Sequence, residues 1–249
     1  MRPSNIKRIN PSQLRGNWVK DPVGTKKDQI QDKQIKNIKK KIKKIEYNEE
    51  VLYVDVSSIG AVAIPETGLQ LAGGGIAQAI ERGDDPDQRQ GNEITTTSLL
   101  FKANIQSNTA KLTPSRVRCV VYWDSQANGA VNVTSGTANS LMEASGSVDG
   151  TLDMRNQETI DRFTILMDKV YTLNPQLELT TTAGTVTANQ PVSINISKRF
   201  RLGRKIQYSG SGNGIVDLVK NNICVVLISD SNSNPPTCTS SLRLYFKDT

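Results

Sequence analysis

From about residue 50 to the end of the chain, apolar residues recur at every second position, a spacing that fits extended strands with one face in a core. The clearest case is Arg116 to Asp124, where Val117, Cys119, Val121 and Trp123 share one face, with Arg116, Arg118, Val120 and Tyr122 on the other. Phe163, Ile165 and Met167 alternate with Thr164, Leu166 and Asp168, as do Val192, Ile194 and Ile196 with Ser193, Asn195 and Ser197. Leu242, Leu244 and Phe246 alternate in the same way with Ser241, Arg243 and Tyr245. Residues 51–56, 94–105 and 205–208 read as further strands, and 223–228, apolar on both faces, as a fully buried one. Eight strands with long polar connections, notably 125–156 and 180–190, predict an all-β two-sheet sandwich, of which the single eight-stranded jelly roll is one version. Short helical turns near 75–82 and 138–144 leave that class unchanged.

The first 47 residues obey a different rule. Fourteen Lys and Arg stand against three Asp in residues 1–45, which makes that segment +11 and the remainder −4 in a chain of net charge +7. Pro3, Pro11 and Pro22 interrupt a polar stretch that reads as extended over 1–25. Over 26–45, Ile30, Ile35, Ile38, Ile42 and Ile45 recur at helical spacing, and lysines 33, 36, 39, 40, 41, 43 and 44 cover the other side. An isolated helix with adjacent lysines is marginal in water, so the spacing predicts a helix that forms when its charge is neutralised and its Ile stripe is buried. A charged helix packed on its own domain is the plainer alternative. The expected partner is a polyanion, held by Arg2, Lys7, Arg8, Arg15, Lys20, Lys26, Lys27, Lys33, Lys36, Lys39, Lys40, Lys41, Lys43 and Lys44. Trp18 either stacks on a base or docks on a protein wall. The division is thus a basic arm, 1–47, ahead of a β domain, 48–249.

The chain has no histidine, which removes Ser-His-Asp and Cys-His catalysis and HExxH zinc chemistry and argues against an enzyme. Three cysteines, Cys119, Cys224 and Cys238, have neither CxxC spacing nor an even count and read as reduced, buried thiols of an intracellular protein. The longest obvious apolar run, 223–228, falls short of the roughly 18 residues a membrane span needs, so no membrane partner is expected. Sequons at Asn132 and Asn195 read as chance, and the glycines at 73–75 and 210–214 as turns, since no Gly-Lys-Ser/Thr ending follows them. No cofactor is required; Asp84, Asp85 and Asp87 offer oxygen ligands for Ca²⁺ between subunits, against the reading of a solvated loop. Trp123 continues a core-facing alternation and reads as packing.

Several segments resemble the capsid proteins of circular Rep-encoding single-stranded DNA viruses and of the satellite tobacco necrosis virus group. They are Gly83-Asp84-Asp85-Pro86-Asp87-Gln88-Arg89-Gln90-Gly91-Asn92-Glu93-Ile94 with Leu99 and Ile105, then Arg116 to Asp124 with Asn128-Gly129. Arg162-Phe163-Thr164-Ile165-Leu166-Met167-Asp168-Lys169 and the closing Arg243-Leu244-Tyr245-Phe246-Lys247-Asp248 complete the series, which spans about residue 83 to the end. The resemblance implies a jelly-roll coat protein that self-assembles into a small icosahedral shell of 60 copies, in a virion assembled inside the host cell, the nucleus included. It implies an inward arm that packages a single-stranded DNA or RNA genome, with the arm helices clustering on Ile30, Ile35, Ile38, Ile42 and Ile45. Sixty arms of +11 would supply about 660 charges against genome phosphates. Two rivals stand beside it: a non-viral β-sandwich that binds single-stranded nucleic acid, for which no basic-aromatic interleaving marks the body, and a carbohydrate-binding or hydrolytic jelly roll, which leaves the arm unexplained.

Overall fold

The computed structural model describes residues 26–48, 51–58, 60–111, 113–127, 140–143, 150–174, 176–178 and 187–248, with backbone alone at 26–29, 42–48, 176–178 and 187–190. The chain divides into two units, Met1–Glu49 and Glu50–Thr249. In the first, α1 (Lys26–Asn48) runs for 23 residues without a proline or glycine to interrupt it. At 1.5 Å per residue it is about 34 Å long.

The second unit is mostly antiparallel β-sheet. Its strands are β1 (Leu52–Ser57), β2 (Val62–Ala63), β3 (Leu69–Gln70), β4 (Glu93–Gln106), β5 (Ser115–Asp124), β6 (Phe163–Leu173), β7 (Gln176–Glu178), β8 (Thr187–Gln190), β9 (Ser193–Arg201), β10 (Lys205–Tyr208), β11 (Leu218–Lys220), β12 (Asn222–Ser229) and β13 (Thr237–Asp248). Each of the eight expected segments contains a strand, and five short strands, β2, β3, β7, β8 and β11, were not expected. The connection 180–190, expected to be polar loop, ends in β8, which pairs with β7 as a separate ribbon. Of the expected helical turns, Ile76–Ala79 is a 3-10 turn, whereas 138–144 is described only at 140–143, where no helix forms.

One sheet has seven strands. β1 and β2 both pair with β13, β13 pairs with β4, and the far edge of β4 carries β9 and β10 in succession, with β11 on β10. The other has four, in the order β3-β12-β5-β6. Leu244, Leu99, Phe101 and Phe246 from the first sheet meet Val117, Cys119, Val121, Trp123, Val225 and Leu227 from the second in one buried cluster. A two-sheet sandwich follows, held chiefly by side chains that contribute about 1.5–3 kcal/mol each when fully buried. Trp123 packs in this cluster at 2% exposure, as expected.

The expectation that β5 has one side in the core needs correction. Val120 and Tyr122, on its second face, are buried with Cys224, Val226 and Ile228 of β12 and with Leu141, Met142 and Phe163. Residues 140–143 and 150–156, read as part of a polar connection, supply this cover together with 157–162: Met142 bridges Arg155, and the Thr159 hydroxyl donates to the Ser140 carbonyl at 2.8 Å. β6 also departs from simple alternation. A register shift opposite Val121 and Tyr122 turns Ile165 toward this second cluster and Met167 toward the main core. At the turn before the 3-10 segment, Gly75 has φ of 127°, and a β-carbon there would sit 2.3 Å from Asn222 Nδ2, so only glycine fits.

Candidate nucleic-acid interface

The sequence points first to residues 1–47. Lys33, Lys36, Lys39, Lys40 and Lys41 are exposed on α1, as are Ile30, Ile35 and Ile38 at 55%, 49% and 55%. Lys26, Lys27, Lys43, Lys44, Ile42 and Ile45 belong to α1, but their side chains lie outside the described residues, as do Arg2, Lys7, Arg8, Arg15, Trp18 and Lys20 altogether. Nine lysines against Asp28, Asp32 and Glu46 give α1 a charge of +6. Lys36 and Lys40 stand four residues apart, so like charges face each other along the helix. One placement differs from the expected two-sided pattern: at about 100° per residue, Lys41 projects between Ile30 and Ile38 rather than opposite the stripe. The apolar stripe is therefore narrow and bordered by charge.

In the body, five of the motif residues, Arg89, Arg118, Asp124, Arg162 and Asp168, lock neighbouring strands and loops rather than face a ligand. Arg162 Nε and Nη2 each donate to the Asp124 carboxylate at 2.7 Å, with side-chain exposures of 7% and 8%, and Nη2 also reaches the Gln126 carbonyl at 2.7 Å. Arg118 grips Asp168 with two bonds, of 2.8 and 2.7 Å, and donates to the Asp153 carbonyl. Both pairs tie β5 to β6. Arg89, at 0% exposure, donates to the carbonyls of Gly91, of Gly210 at 3.0 Å and of Gly212 at 2.7 Å, and lies 3.9 Å over the Tyr208 ring. Burial lowers its pKa from the ordinary arginine value, opposed by the Tyr208 hydroxyl. The strands that the sequence shows as flanked by charges are thus flanked by pins.

Asp84, Asp85 and Asp87 sit on the exposed turn that leads to Arg89, where the Gln90 amide donates to Asp84 at 3.5 Å and the Asp85 N–H to Gln88 at 3.2 Å. Among the described residues no group of three or more Cys, Asp or Glu is gathered to hold a metal. No described helix is long and apolar enough to cross a membrane.

Cys119, Cys224 and Cys238 are free and buried. Burial pushes Cys224 and Cys238 up to about 12 and raises Cys119 as well. The unfolded chain ionises these thiols near the ordinary value of 9.0. Their contribution to stability is therefore complete below pH 9 and is lost as pH climbs toward 12. At pH 8 a thiol-reactive chromophore is expected to label none of the three rapidly in the native chain and all three in denaturant; rapid native labelling of Cys224 would contradict the burial.

The outer face of the seven-stranded sheet was missed by the sequence reading, which found no basic-aromatic interleaving in the body. Strand pairing creates it. One row across β1, β13, β4 and β9 reads Tyr53, Tyr245, Ser98, Arg201; the next reads Asp55, Arg243, Leu100, Arg199; the third reads Ser57, Ser241, Lys102, Ser197. The two tyrosine rings are 6.3 Å apart, with Arg243 at 4.5 Å from the Tyr53 ring centre and Arg199 at 5.6 Å from that of Tyr245. Arg243 binds Asp55 through two bonds, which raises its pKa further. Among the described residues no carboxylate pairs with Arg199, Arg201 or Lys102.

No protein family matches the chain. It is similar to the coat protein of Maize white line mosaic satellite virus, 22% identical over 173 residues, which cover 70% of this chain and 71% of that protein. A solved structure titled as the T13 IBDV viral particle, described there as a missing link in icosahedral virus evolution, aligns at 9% identity and a TM-score of 0.22 over 80% of this chain. This chain spans 32% of that one.

Proposed function

We propose that this chain is the coat protein of a small icosahedral virus. Its body is a jelly roll that self-assembles into a shell, and its cationic arm, 1–47, holds the single-stranded genome inside. The observation that carries the reading is the strand order. With the short β3 counted as the second strand, β9 and β10 taken as one broken strand, and β2, β7, β8 and β11 set aside, the strands enter the two sheets as first, last, third and sixth, and as second, seventh, fourth and fifth. Antiparallel double Greek-key connectivity produces that order, and it is the order of a jelly roll.

The likeness to a satellite virus coat protein supports the same reading, as do the segments that resemble capsid proteins of circular single-stranded DNA viruses. The +6 helix supports it from a separate direction. Exposed lysines that repel one another gain from every phosphate they meet, with release of counterions and no demand for sequence, and a protein that must enclose a whole genome needs that tolerance. The narrow Ile stripe is suited to a cluster of arm helices on neighbouring subunits. The role is structural, with no catalytic step. Sixty copies in the simplest closed shell, assembled in the host cell, are the expected particle.

Expressed alone at low salt, the chain is expected to sediment as one uniform multimer that carries nuclease-protected nucleic acid. A chain that sediments as monomer at every salt and pH tried contradicts the reading.

A further inference from the structure

We infer that the outer face of the seven-stranded sheet is a second binding surface for single-stranded nucleic acid, independent of the arm, with Tyr245 and Tyr53 as stacking platforms and Arg199, Arg201 and Lys102 as phosphate contacts. The assignment takes the identity of the strand from the coat-protein reading, and everything else from the geometry of this face.

Charge is the first argument. Within a body of net −4, the twelve positions of the three rows carry Arg201, Arg243, Arg199 and Lys102 against Asp55 alone, a local excess of +3. Asp55 is already gripped by Arg243, so the remaining three cations are available to phosphate. The body's acidity lies elsewhere on its surface, and this face runs against the trend.

Shape is the second. A concavity of about 670 Å³ is lined by Arg199, Arg201, Tyr245, Leu202 and Val51, within the size range of small-molecule sites and roomy enough for a nucleotide. A second, of about 560 Å³, surrounds Lys102 with Ser57, Ser241 and Ser197, Ala103 and Ile196, and the hydrogen-bonded Asn104 and Asn195, a largely apolar hollow with hydroxyls at its edge. Rows on one face of a sheet repeat about every 6.8 Å. Cations therefore recur along the strand direction, Arg201, then Arg199, then Lys102 in successive rows, as an extended phosphate backbone requires, with both rings at the first row.

The rings decide between kinds of partner. Tyr53 is 40% exposed, and Arg243 lies over the Tyr53 ring and Arg199 over the Tyr245 ring, so a base that reaches this pair meets a guanidinium plane layered on each ring and stacks on the guanidinium-tyrosine pair. Stacking needs unpaired bases, which points to a single strand rather than a duplex. Tyrosine and arginine also suit a protein interface, but six of the twelve positions are Ser, Lys or Asp, types depleted there, so the composition of this face favours nucleic acid over a protein partner.

The test uses the full chain and a short oligothymidylate carrying iododeoxyuridine, photo-crosslinked and mapped by mass spectrometry. The expected result is an adduct on the peptide that contains Tyr245, in addition to adducts on the arm. Its yield should fall roughly tenfold in the Arg199→Ser, Arg201→Ser double variant, whose substitutions are on exposed positions, with the thermal midpoint unchanged. The same variant should show a salt dependence of binding shallower by about 1.4 in log-log slope. Adducts confined to residues 1–48, or a Tyr245 adduct indifferent to the double substitution, overturn the inference. So does a lysine crosslink from Lys102 to a second copy that blocks the Tyr245 adduct, which would make the face a protein interface. Particles that enclose nucleic acid without a Tyr245 adduct would remove this inference and leave the coat-protein reading standing; Tyr245 adducts on a chain that never assembles would do the reverse.

Discussion

Replacing Arg162 by alanine is expected to lower the unfolding free energy of the body by about 3–5 kcal/mol, read as a fall in the urea midpoint at constant slope. The guanidinium makes two bonds of 2.7 Å to Asp124 and a third to Gln126, and both side chains are over nine-tenths buried. Truncation leaves the Asp124 carboxylate in the interior without the Arg162 counter-charge, while the Gln126 N–H still donates to it at 3.0 Å, and the cost is that of a buried pair broken on one side. Arg162 also lies 4.9 Å from the Phe163 ring, so its packing over the second cluster is lost too. The matched pair Arg162→Met with Asp124→Leu should cost much less than either single change, because it removes both charges together. Arg243→Ala, at the exposed Asp55 pair, should shift the midpoint far less. A loss below about 1 kcal/mol for Arg162→Ala would mean that the pair does not tie β5 to β6 as described.

Deleting residues 1–45 is expected to weaken binding to single-stranded nucleic acid on the order of a thousandfold at moderate salt, and to leave the body folded with its thermal transition intact. Eleven net positive charges leave with the segment. At about 0.7 per phosphate contact, eleven contacts set a log-log salt slope of up to about −8, and the body's exposed Arg199, Arg201 and Lys102 retain about −2. Shells built from the shortened chain should be empty. Binding retained within tenfold, or shells that still enclose nucleic acid, would place the packaging function in the body.

The helix α1 was legible because its signal is local. Lysine density and the Ile repeat need only adjacent residues, and α1 covers the segment that they mark. The long strands were legible for the same reason, since alternation is visible within β4, β5, β12 or β13 taken alone. The strands that escaped, such as β2 and β3, are two residues long and exist only because β13 and β12 offer them an edge. The second face of β5 escaped because alternation assumes water on one side. What covers Val120 and Tyr122 comes from Leu141, Met142 and Phe163, the first two in a segment whose serines, glycines and threonines read as loop. Arg118, Asp124, Arg162 and Asp168 stood out in sequence, but their role was hidden, because a lone charge beside a strand gives no sign of the partner across the ladder. The outer face of the large sheet was the least legible of all. Tyr53 and Tyr245 come from opposite ends of the body and Arg199 from between them, and only the register of β1, β13, β4 and β9 sets them side by side.

The central claim is that the body closes into a shell around nucleic acid held by the arm. Its most direct measurement is negative-stain electron microscopy of the purified full chain, with the ultraviolet absorbance ratio of the same fraction. The account predicts uniform, roughly spherical particles whose absorbance ratio shows enclosed nucleic acid. Dispersed monomers with a protein-like ratio, at low and high salt alike, would contradict it.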